Sequence, residues 1–321
     1  MINCLKVACL FIGAIVGAGF ATGREIVVFF RGLSILTPIF AGIVTGIMCA
    51  VFLNFGKIKF TSRLGKAVNG CIDYMMLISM IITYMVMCSA AEELSRECLN
   101  MGYVGLISGV CFAVLSLFDI KFIKNISMIM VGVIIAFVIF LSFGTKMTSG
   151  SQVDFATSVK YCAMNMLSGG YLISQEGKDM KGKHIAICAL ICGGVTAGLL
   201  GMVYVIAMSQ SGAPMPVYAA AVYKGCKYMG GILILLAVLS TMLGAGRIIY
   251  TSTFKLCGAT SIPLVFLIGL ACISYTLNFE QSVEIFYPPL GVLGIILCAA
   301  AIIIIITATV IKFKRRYTLK L

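Results

Sequence analysis

Two short stretches of the chain combine glycines with an acidic residue in a pattern that suits binding of ions and small polar molecules. The first, GAIVGAGFATGRE, ends at Glu25, and the second, SGGYLISQE, ends at Glu176. Because glycine is a poor helix former, each stretch predicts a local break in a helix. Unwound backbone exposes carbonyl oxygens that can hold a cation, and the helix start that follows offers amides to a carboxylate.

The elements that must position both stretches are long apolar segments. Hydrophobic residues make up 61% of the 321 residues and charged residues only 11%. Apolar runs of about twenty residues recur along the chain, as membrane helices require. The sequence therefore predicts an all-α integral membrane protein embedded in a lipid bilayer. The ten predicted spans are 5–31, 34–54, 68–91, 102–118, 124–144, 157–179, 184–208, 228–253, 260–277 and 283–311.

The distribution of charge predicts how the chain is oriented. With a cytoplasmic N-terminus, most of the 24 basic residues, including those of the tail KFKRRYTLK, fall on the cytoplasmic side, as the positive-inside rule requires. We expect a multi-pass protein of the plasma membrane with both termini in the cytoplasm. The net charge of +13 then reflects membrane orientation, and no basic patch interleaved with aromatic residues indicates nucleic-acid binding.

The two glycine-rich stretches also reveal an internal repeat. Residues 17–25 align without gaps to 168–176, so that Glu25 matches Glu176. Five spans precede the second copy, and the two halves, 1–150 and 151–321 with its basic cytoplasmic tail, must therefore have opposite orientations. Broken helices at matching positions of inverted repeats are typical of the midplane site of secondary transporters. The alternative for either stretch alone is a glycine surface for helix packing.

Charged residues beside the breaks have two interpretations each. A carboxylate inside the membrane is costly without a role, so Glu25 and Glu176 could recognise a substrate ammonium group or guide gating. The alternative is a carboxylate that only neutralises a helix N-terminus and a nearby base. We expect Arg24 to pair with an acidic residue of an outer gate rather than with the substrate.

The motif GAGFATGREIVVFF, the broken sixth span and the segment YPPLGVLGII resemble the YkvI-like amino acid permeases. This family belongs to the amino acid–polyamine–organocation superfamily, and the resemblance extends over essentially the whole chain. It implies the LeuT-type fold, in which five plus five helices form an inverted repeat and helices 1 and 6 are broken at the midplane. It also implies transport, without naming the cargo.

The resemblance further implies a sodium site. Sodium-coupled proteins of this fold hold the ion between first-helix carbonyls spaced G-x-x-V and an eighth-helix A-x-x-[ST]-[ST]. The matching residues here are Gly13, Val16, Ala237, Ser240 and Thr241. The alternative is that the two hydroxyls only bond back to carbonyls of their own helix. Proton-coupled members have a lysine on the fifth helix in place of the ion. The segment ISMIMVGVIIAFVIFLSFG of the fifth span contains no lysine.

These observations predict a secondary transporter that moves a small amino acid or related zwitterion by alternating access with sodium. The alternatives are a proton-coupled carrier, or an amino-acid-sensing receptor or channel-like protein on the same fold. No enzyme is expected, since no nucleophile–base set or phosphate loop appears, and sodium is the only expected ion or cofactor. The predicted substrate-binding residues are Gly17, Ala18, Gly19, Phe20, Tyr84, Ser168, Gly169, Gly170 and Tyr171.

Overall fold

The computed structural model describes residues 2–58, 63–117, 132–146 and 149–318, and the secondary structure of these ranges is almost entirely helical. The first half contains α1 (Ile2–Ile15), α2 (Ala18–Thr22), α3 (Arg24–Phe30), α4 (Leu36–Phe55), α5 (Arg63–Leu99), α6 (Val104–Leu115) and α7 (Gly132–Ser142). The second half contains α8 (Phe155–Asn165), α9 (Tyr171–Glu176), α10 (Gly182–Ser209), α11 (Pro216–Tyr223), α12 (Lys227–Cys257), α13 (Ser261–Tyr275) and α14 (Phe279–Thr318).

These helices account for all ten predicted spans. The first span comprises α1 to α3, the sixth comprises α8, α9 and the turns beside them, and the other eight each contain one helix. Residues 124–131 of the predicted fifth span lie outside the described residues. Within the described residues, five helices are long and apolar enough to cross a membrane: Leu36–Phe55, Gly70–Leu99, Gly182–Ser209, Lys227–Cys257 and Phe279–Ile311.

The first span is broken at Gly17, as predicted, and a second time at Gly23. The helix α1 ends at Ile15, and Gly17 then adopts extended backbone with φ −76° and ψ −172°. A second break occurs at Gly23, whose φ of +78° lies in the left-handed region that glycine tolerates and other residues rarely adopt. The short helix α2 between the two breaks therefore has a direction that is independent of α1 and α3.

The sixth span is interrupted in a milder way. Between α8 and α9, residues Met166–Gly170 form a π-helical segment instead of extended backbone. A π segment widens one turn and is often found at functional positions. The second break thus stands where the repeat predicts it, but the chain stays helical through it. It lies against α1, since a Cβ at Gly169 would approach the ring of Phe11 to 3.0 Å.

Glycines allow the closest helix contacts of the structure. A Cβ placed on Gly42 would lie 2.3 Å from the backbone of Ala197, and one on Gly46 would lie 2.6 Å from Gly193 Cα. These contacts hold α4 against α10. The helix α14 meets α8 in the same way, because a Cβ on Gly294 would lie 2.0 Å from the Ala163 carbonyl oxygen. Small residues at such crossings allow backbones to pack closely where no hydrophobic effect drives association.

The connection that enters α8 is fixed by hydrogen bonds to the turn before α4. Ser34 N donates to Gln152 O at 2.7 Å, and Ser158 Oγ donates to Thr37 O at 2.7 Å. Asp154 caps the first turn of α8, where its carboxylate accepts from Thr157 Oγ1 and the amides of Thr157 and Ala156. The hydrogen bonds from Thr157 hold the pKa of Asp154 below its ordinary value.

We predict that Gly46→Val destabilises the protein because its branched side chain would have to enter the backbone contact with Gly193. Overpacking of this kind costs about 1–3 kcal/mol, so the melting temperature in detergent should fall by several degrees. Gly198→Val on α10 is the control, since a Cβ there meets nothing within 4 Å. Equal melting temperatures for the two variants would contradict the described crossing of α4 and α10.

Candidate functional site

A cavity of about 200 Å³ lies against the first break of the first span. Its walls come from α1, α2, α3, α5, α8, the π segment, α9, α12 and α14. Most of the wall is apolar, as in typical small-molecule sites, which place a few polar groups in an apolar pocket. The polar and charged side chains in the wall are Glu25, Ser79, Thr83, Asn165, Ser168, Thr241, Arg247 and Tyr287.

The break leaves backbone carbonyls beside this cavity. The helical hydrogen bonds of α1 end with Val16 N donating to Ile12 O at 2.7 Å and resume with Ala21 N donating to Gly17 O at 2.9 Å. The regular helix is thereby interrupted at Gly17, and Gly13, Ala14 and Ile15 of its last turn line the cavity. Backbone carbonyls that such an interruption frees are tolerated at membrane depth only where they face a cavity or a ligand.

Thr241 of α12 lies directly beside the break. A Cβ at Gly17 would lie 3.2 Å from Thr241 Oγ1, so a larger residue would crowd this hydroxyl. Thr241 Oγ1 also donates to Ala237 O at 2.9 Å, which is the bond back to its own helix that the alternative interpretation predicts. A hydroxyl that donates in this way keeps lone pairs with which its oxygen can accept or coordinate.

The carboxyl group of Glu25 closes another side of the cavity. Glu25 is 5% exposed, and its Oε1 accepts from the hydroxyl of Tyr161 at 2.7 Å. Its Oε2 packs on Gly19, where a Cβ would lie only 2.3 Å away and would also approach Tyr287 Oη to 3.1 Å. Glycine at position 19 therefore makes room for the carboxyl group, which two tyrosines flank.

Arg24 turns away from Glu25. Its guanidinium is 4% exposed, and Nη2 forms ion pairs with both Glu280 and Glu284 of α14. Nη1 lies 3.5 Å from the carbonyl of Ala213, which precedes α11. These contacts connect α3, α14 and the segment before α11 next to the cavity. They place Arg24 where the sequence analysis expects a gate residue, in contact with acidic residues.

Several predicted site residues meet at this cavity. Gly13, Gly17, Gly19, Ser168, Glu25 and Thr241 belong to its wall. Val16 and Ala237 are buried and do not belong to its wall. The side chains of Ala18, Tyr171 and Ser240 lie outside the described residues. The ligand-binding roles of all these residues stay predictions.

Four of the predicted substrate-binding residues lie outside this cavity wall. Tyr84 is fully buried, and its hydroxyl donates to Gly109 O of α6 at 2.6 Å, while its neighbour Thr83 faces the cavity. A Cβ at Gly170 would touch the ring of Phe52 at 3.1 Å, so this glycine packs on α4. Gly169 packs on α1 and Phe20 is 1% exposed in the core. Neither residue belongs to the cavity wall.

Glu176 also stands apart from the cavity. It is the last residue of α9, and it does not belong to the wall. The alignment that pairs it with Glu25 predicts equivalent positions, but the two helices that follow the breaks differ. The helix α3 starts after the left-handed Gly23, whereas α9 continues directly from the π segment. The two glutamates therefore do not share one site.

The sequence analysis missed other polar groups of the site. Tyr161 and Asn165 precede the second break by one to two helical turns, and Asn165 Nδ2 donates to Tyr161 O at 3.1 Å. Tyr287 immediately precedes the two prolines of α14. Polar residues one to two turns before a break were a usable signal for Tyr161 and Asn165, and the adjacent prolines were one for Tyr287. Arg247 of α12 also lies in the wall and donates from Nη1 to Ser116 O at 2.7 Å.

Three buried cysteines form a separate cluster. The Sγ atoms of Cys49 on α4 and of Cys188 and Cys192 on α10 all lie within 4.8 Å of one another, a spacing that could hold a metal ion. These three are fully buried at a tight helix crossing, where a thiol behaves as a small hydrophobe. None of them belongs to the cavity wall.

Comparisons with known proteins identify the fold. No protein-family model matches the chain. The uncharacterized protein YyaD of Bacillus subtilis (strain 168) is 23% identical over 91% of this chain and 94% of its own length. The inward-facing conformation of Mhp1 superposes with a TM-score of 0.64 at 15% identity, covering 91% of this chain and 73% of Mhp1.

A second structure of Mhp1 agrees with the first. This structure, a nucleobase-cation-symport-1 family transporter in a closed conformation with bromovinylhydantoin bound, superposes with a TM-score of 0.60 at 15% identity, covering 92% of this chain and 74% of that protein. The chain therefore has the LeuT-type fold that the sequence predicts, and both of these structures are of a transporter and not of an enzyme. The narrower resemblance to YkvI-like permeases stays a prediction.

We predict that Tyr161→Phe lowers the melting temperature because the carboxyl group of Glu25 loses its hydroxyl donor. A hydrogen bond to a buried polar group contributes about 1–3 kcal/mol when one partner is removed. The same substitution in a Glu25→Leu background should cost much less, since no carboxyl group is left without its donor. A cost that is equal in both backgrounds would show that the hydroxyl does not act through Glu25.

Proposed function

We propose that the protein is a secondary active transporter that moves a small amino acid or related zwitterion by alternating access, with sodium as the coupling ion. The observation that carries the proposal is the break of α1. It brings the backbone of Gly13 and Gly17, the hydroxyl of Thr241 and the carboxyl group of Glu25 to one cavity. The transporter fold shared with Mhp1 supports the same class of function.

The proposed sodium site uses the carbonyls of Gly13, Val16 and Ala237 with the hydroxyls of Ser240 and Thr241. The contact between Gly17 and Thr241 supports it, because it brings α12 to the break in α1. Oxygen ligands without sulfur or nitrogen suit a hard cation. An ion held between α1 and α12 would favour one arrangement of these helices over another, which is the requirement for coupling.

The proposed substrate places its ammonium group toward Glu25. An isolated buried carboxylate is costly, so a ligand cation beside it would be favourable. The backbone of Gly17, Ala18 and Gly19 would contact the rest of the molecule, with Ser168 on the opposite wall. A cavity of about 200 Å³ fits a small ligand.

The ion pairs of Arg24 support alternating access. We propose that they close the cavity on the side of Glu25, while its wall continues past Thr241 to Arg247 on α12. With the predicted orientation, the closed side faces outward and Arg247 lies toward the cytoplasm. We propose that this arrangement is the inward-facing state and that separation of Arg24 from Glu280 and Glu284 opens the other side.

Uptake into proteoliposomes tests this function. A panel of labelled amino acids is offered to the reconstituted full-length chain, with a gradient of sodium or with choline in its place. Accumulation of an amino acid that requires the sodium gradient supports the proposal. Binding without accumulation would favour a receptor, and accumulation that is the same in choline would favour a proton-coupled carrier.

For Thr241→Ala we predict that the sodium dependence of uptake shifts to higher concentration, because the ion loses one of its oxygen ligands. Substrate affinity at saturating sodium should change much less. Thr251→Ala on α12 is a matched control, because its hydroxyl likewise donates to a carbonyl four residues earlier, that of Arg247, at 2.9 Å. If both variants shift the sodium dependence equally, the effect belongs to helix α12 and not to an ion site.

A further inference from the structure

The carboxyl group of Glu25 lies at the cavity without a cationic side chain beside it. Its Oε1 accepts from Tyr161, and its Oε2 packs on Gly19 near the hydroxyl of Tyr287. Arg24 is its neighbour in sequence, but the guanidinium pairs with Glu280 and Glu284. Among the described residues, no basic side chain lies within ion-pair distance of Glu25.

The titratable groups of the elements packed on α3 confirm this isolation. From α8 the group that faces Glu25 is Tyr161, while Lys160 is exposed and packs on Gly291. From α14 it is Tyr287, since Glu280 and Glu284 pair with Arg24. From α10, the hydroxyl of Tyr204 donates to Leu33 O instead.

The remaining charged group of the cavity is engaged elsewhere. Arg247 belongs to the same wall, but it lies on α12, donates to Ser116 O and stacks near the ring of Tyr250 at 5.8 Å. The helix α2, AGFAT, contains no titratable side chain. Tyrosine hydroxyls can donate to a carboxylate, but they do not neutralise its charge.

We propose that Glu25 carries a proton while the cavity holds no cation, and that the ammonium group of the substrate displaces this proton when it binds. The inference rests on the proposed transport of an amine-bearing substrate. In the exchange, the O–H bond of the Glu25 carboxyl group breaks and its electron pair stays on the carboxylate. The proton leaves to water in the cavity, and the carboxylate then pairs with the ammonium group.

The physical reason is the cost of an uncompensated charge in an apolar surrounding. Without a cationic partner, a buried carboxyl group is more stable with a bound proton than as a charged carboxylate. The hydroxyl of Tyr161 can remain hydrogen-bonded to either form, because a protonated carboxyl group keeps an acceptor oxygen. The same residue therefore accepts a proton in the empty state and a ligand cation in the loaded state.

This exchange has a consequence for transport. At low pH the proton competes with the ammonium group, so the apparent substrate affinity falls as pH decreases. When the carrier returns empty, Glu25 carries a proton across, in the direction opposite to the substrate. For uptake, a proton gradient that is more acidic inside thus adds to an inward sodium gradient, and one that is more acidic outside opposes it, through a residue at a different place from the proposed sodium site.

Infrared spectroscopy of the full-length protein in lipid tests the first half of the exchange without any substrate. The empty protein should show the carbonyl band of a protonated carboxyl group at neutral pH, and the band should disappear as pH is raised. Glu25→Gln should remove the band, whereas Glu25→Asp should keep a carbonyl band, because aspartate also has a carboxyl group. Absence of the band in the wild-type protein, or its persistence in Glu25→Gln, would overturn the proposal.

Glu92→Gln is the matched control. Glu92 is another buried carboxylate, but it pairs with Arg96 and accepts from the amides of Tyr103 and Gly105. Its replacement should leave the band unchanged. If the band is lost in Glu92→Gln and kept in Glu25→Gln, then Glu92 and not Glu25 holds the proton, and the inference is rejected.

The second half is tested by adding the amino acid panel to weakly buffered protein that contains saturating sodium and a pH-sensitive dye. Binding should release protons from the wild-type protein and none from Glu25→Gln. Binding without proton release would overturn the exchange while leaving the proposed transport intact. If no amino acid binds, the proposed substrate class fails, and the infrared band still decides whether Glu25 holds a proton.

Discussion

The structure depends on backbone groups that a membrane helix does not use for itself. A continuous helix pairs each carbonyl with an amide four residues later, and an apolar surrounding penalises every pair that is missing. The break at Gly17 interrupts this pattern, so the backbone groups beside it need a space with polar partners. The cavity beside α1, whose largely apolar wall includes Thr241 and Glu25, is that space.

Maintaining this space requires rigid neighbours. The glycine contacts between α4 and α10, and between α14 and α8, bring these helices together at backbone distance. Such contacts cannot adapt to a change in side-chain volume, because backbone atoms meet directly. The tight crossings therefore fix the helices around the cavity, whereas the left-handed Gly23 and the extended Gly17 give α2 and α3 freedom to differ from α1 in direction.

Sequence predicted the topology and the first break because both follow from local rules. Apolar length defines the spans, and clustered glycines define where a helix is weak. The faces of the helices were harder to predict. Tyr84 of α5 is a predicted substrate-binding residue, but its neighbour Thr83 faces the cavity. Consecutive residues point about 100° apart around a helix. Gly170 matches Gly19 in the alignment, yet it packs on Phe52, and only the packing of α4 determines that.

In the proposed mechanism, the neighbouring residues Arg24 and Glu25 have separate roles. In the first turn of α3 the two side chains point in different directions, so Arg24 reaches the acidic residues of α14 while Glu25 reaches the cavity. Neither charge neutralises the other, although they are neighbours in sequence. Any motion of α3 about Gly23 moves both together. Opening the ion pairs on one side would thus displace the carboxyl group that holds the proton or the substrate on the other, and the charge state of Glu25 would in turn bias the position of α3.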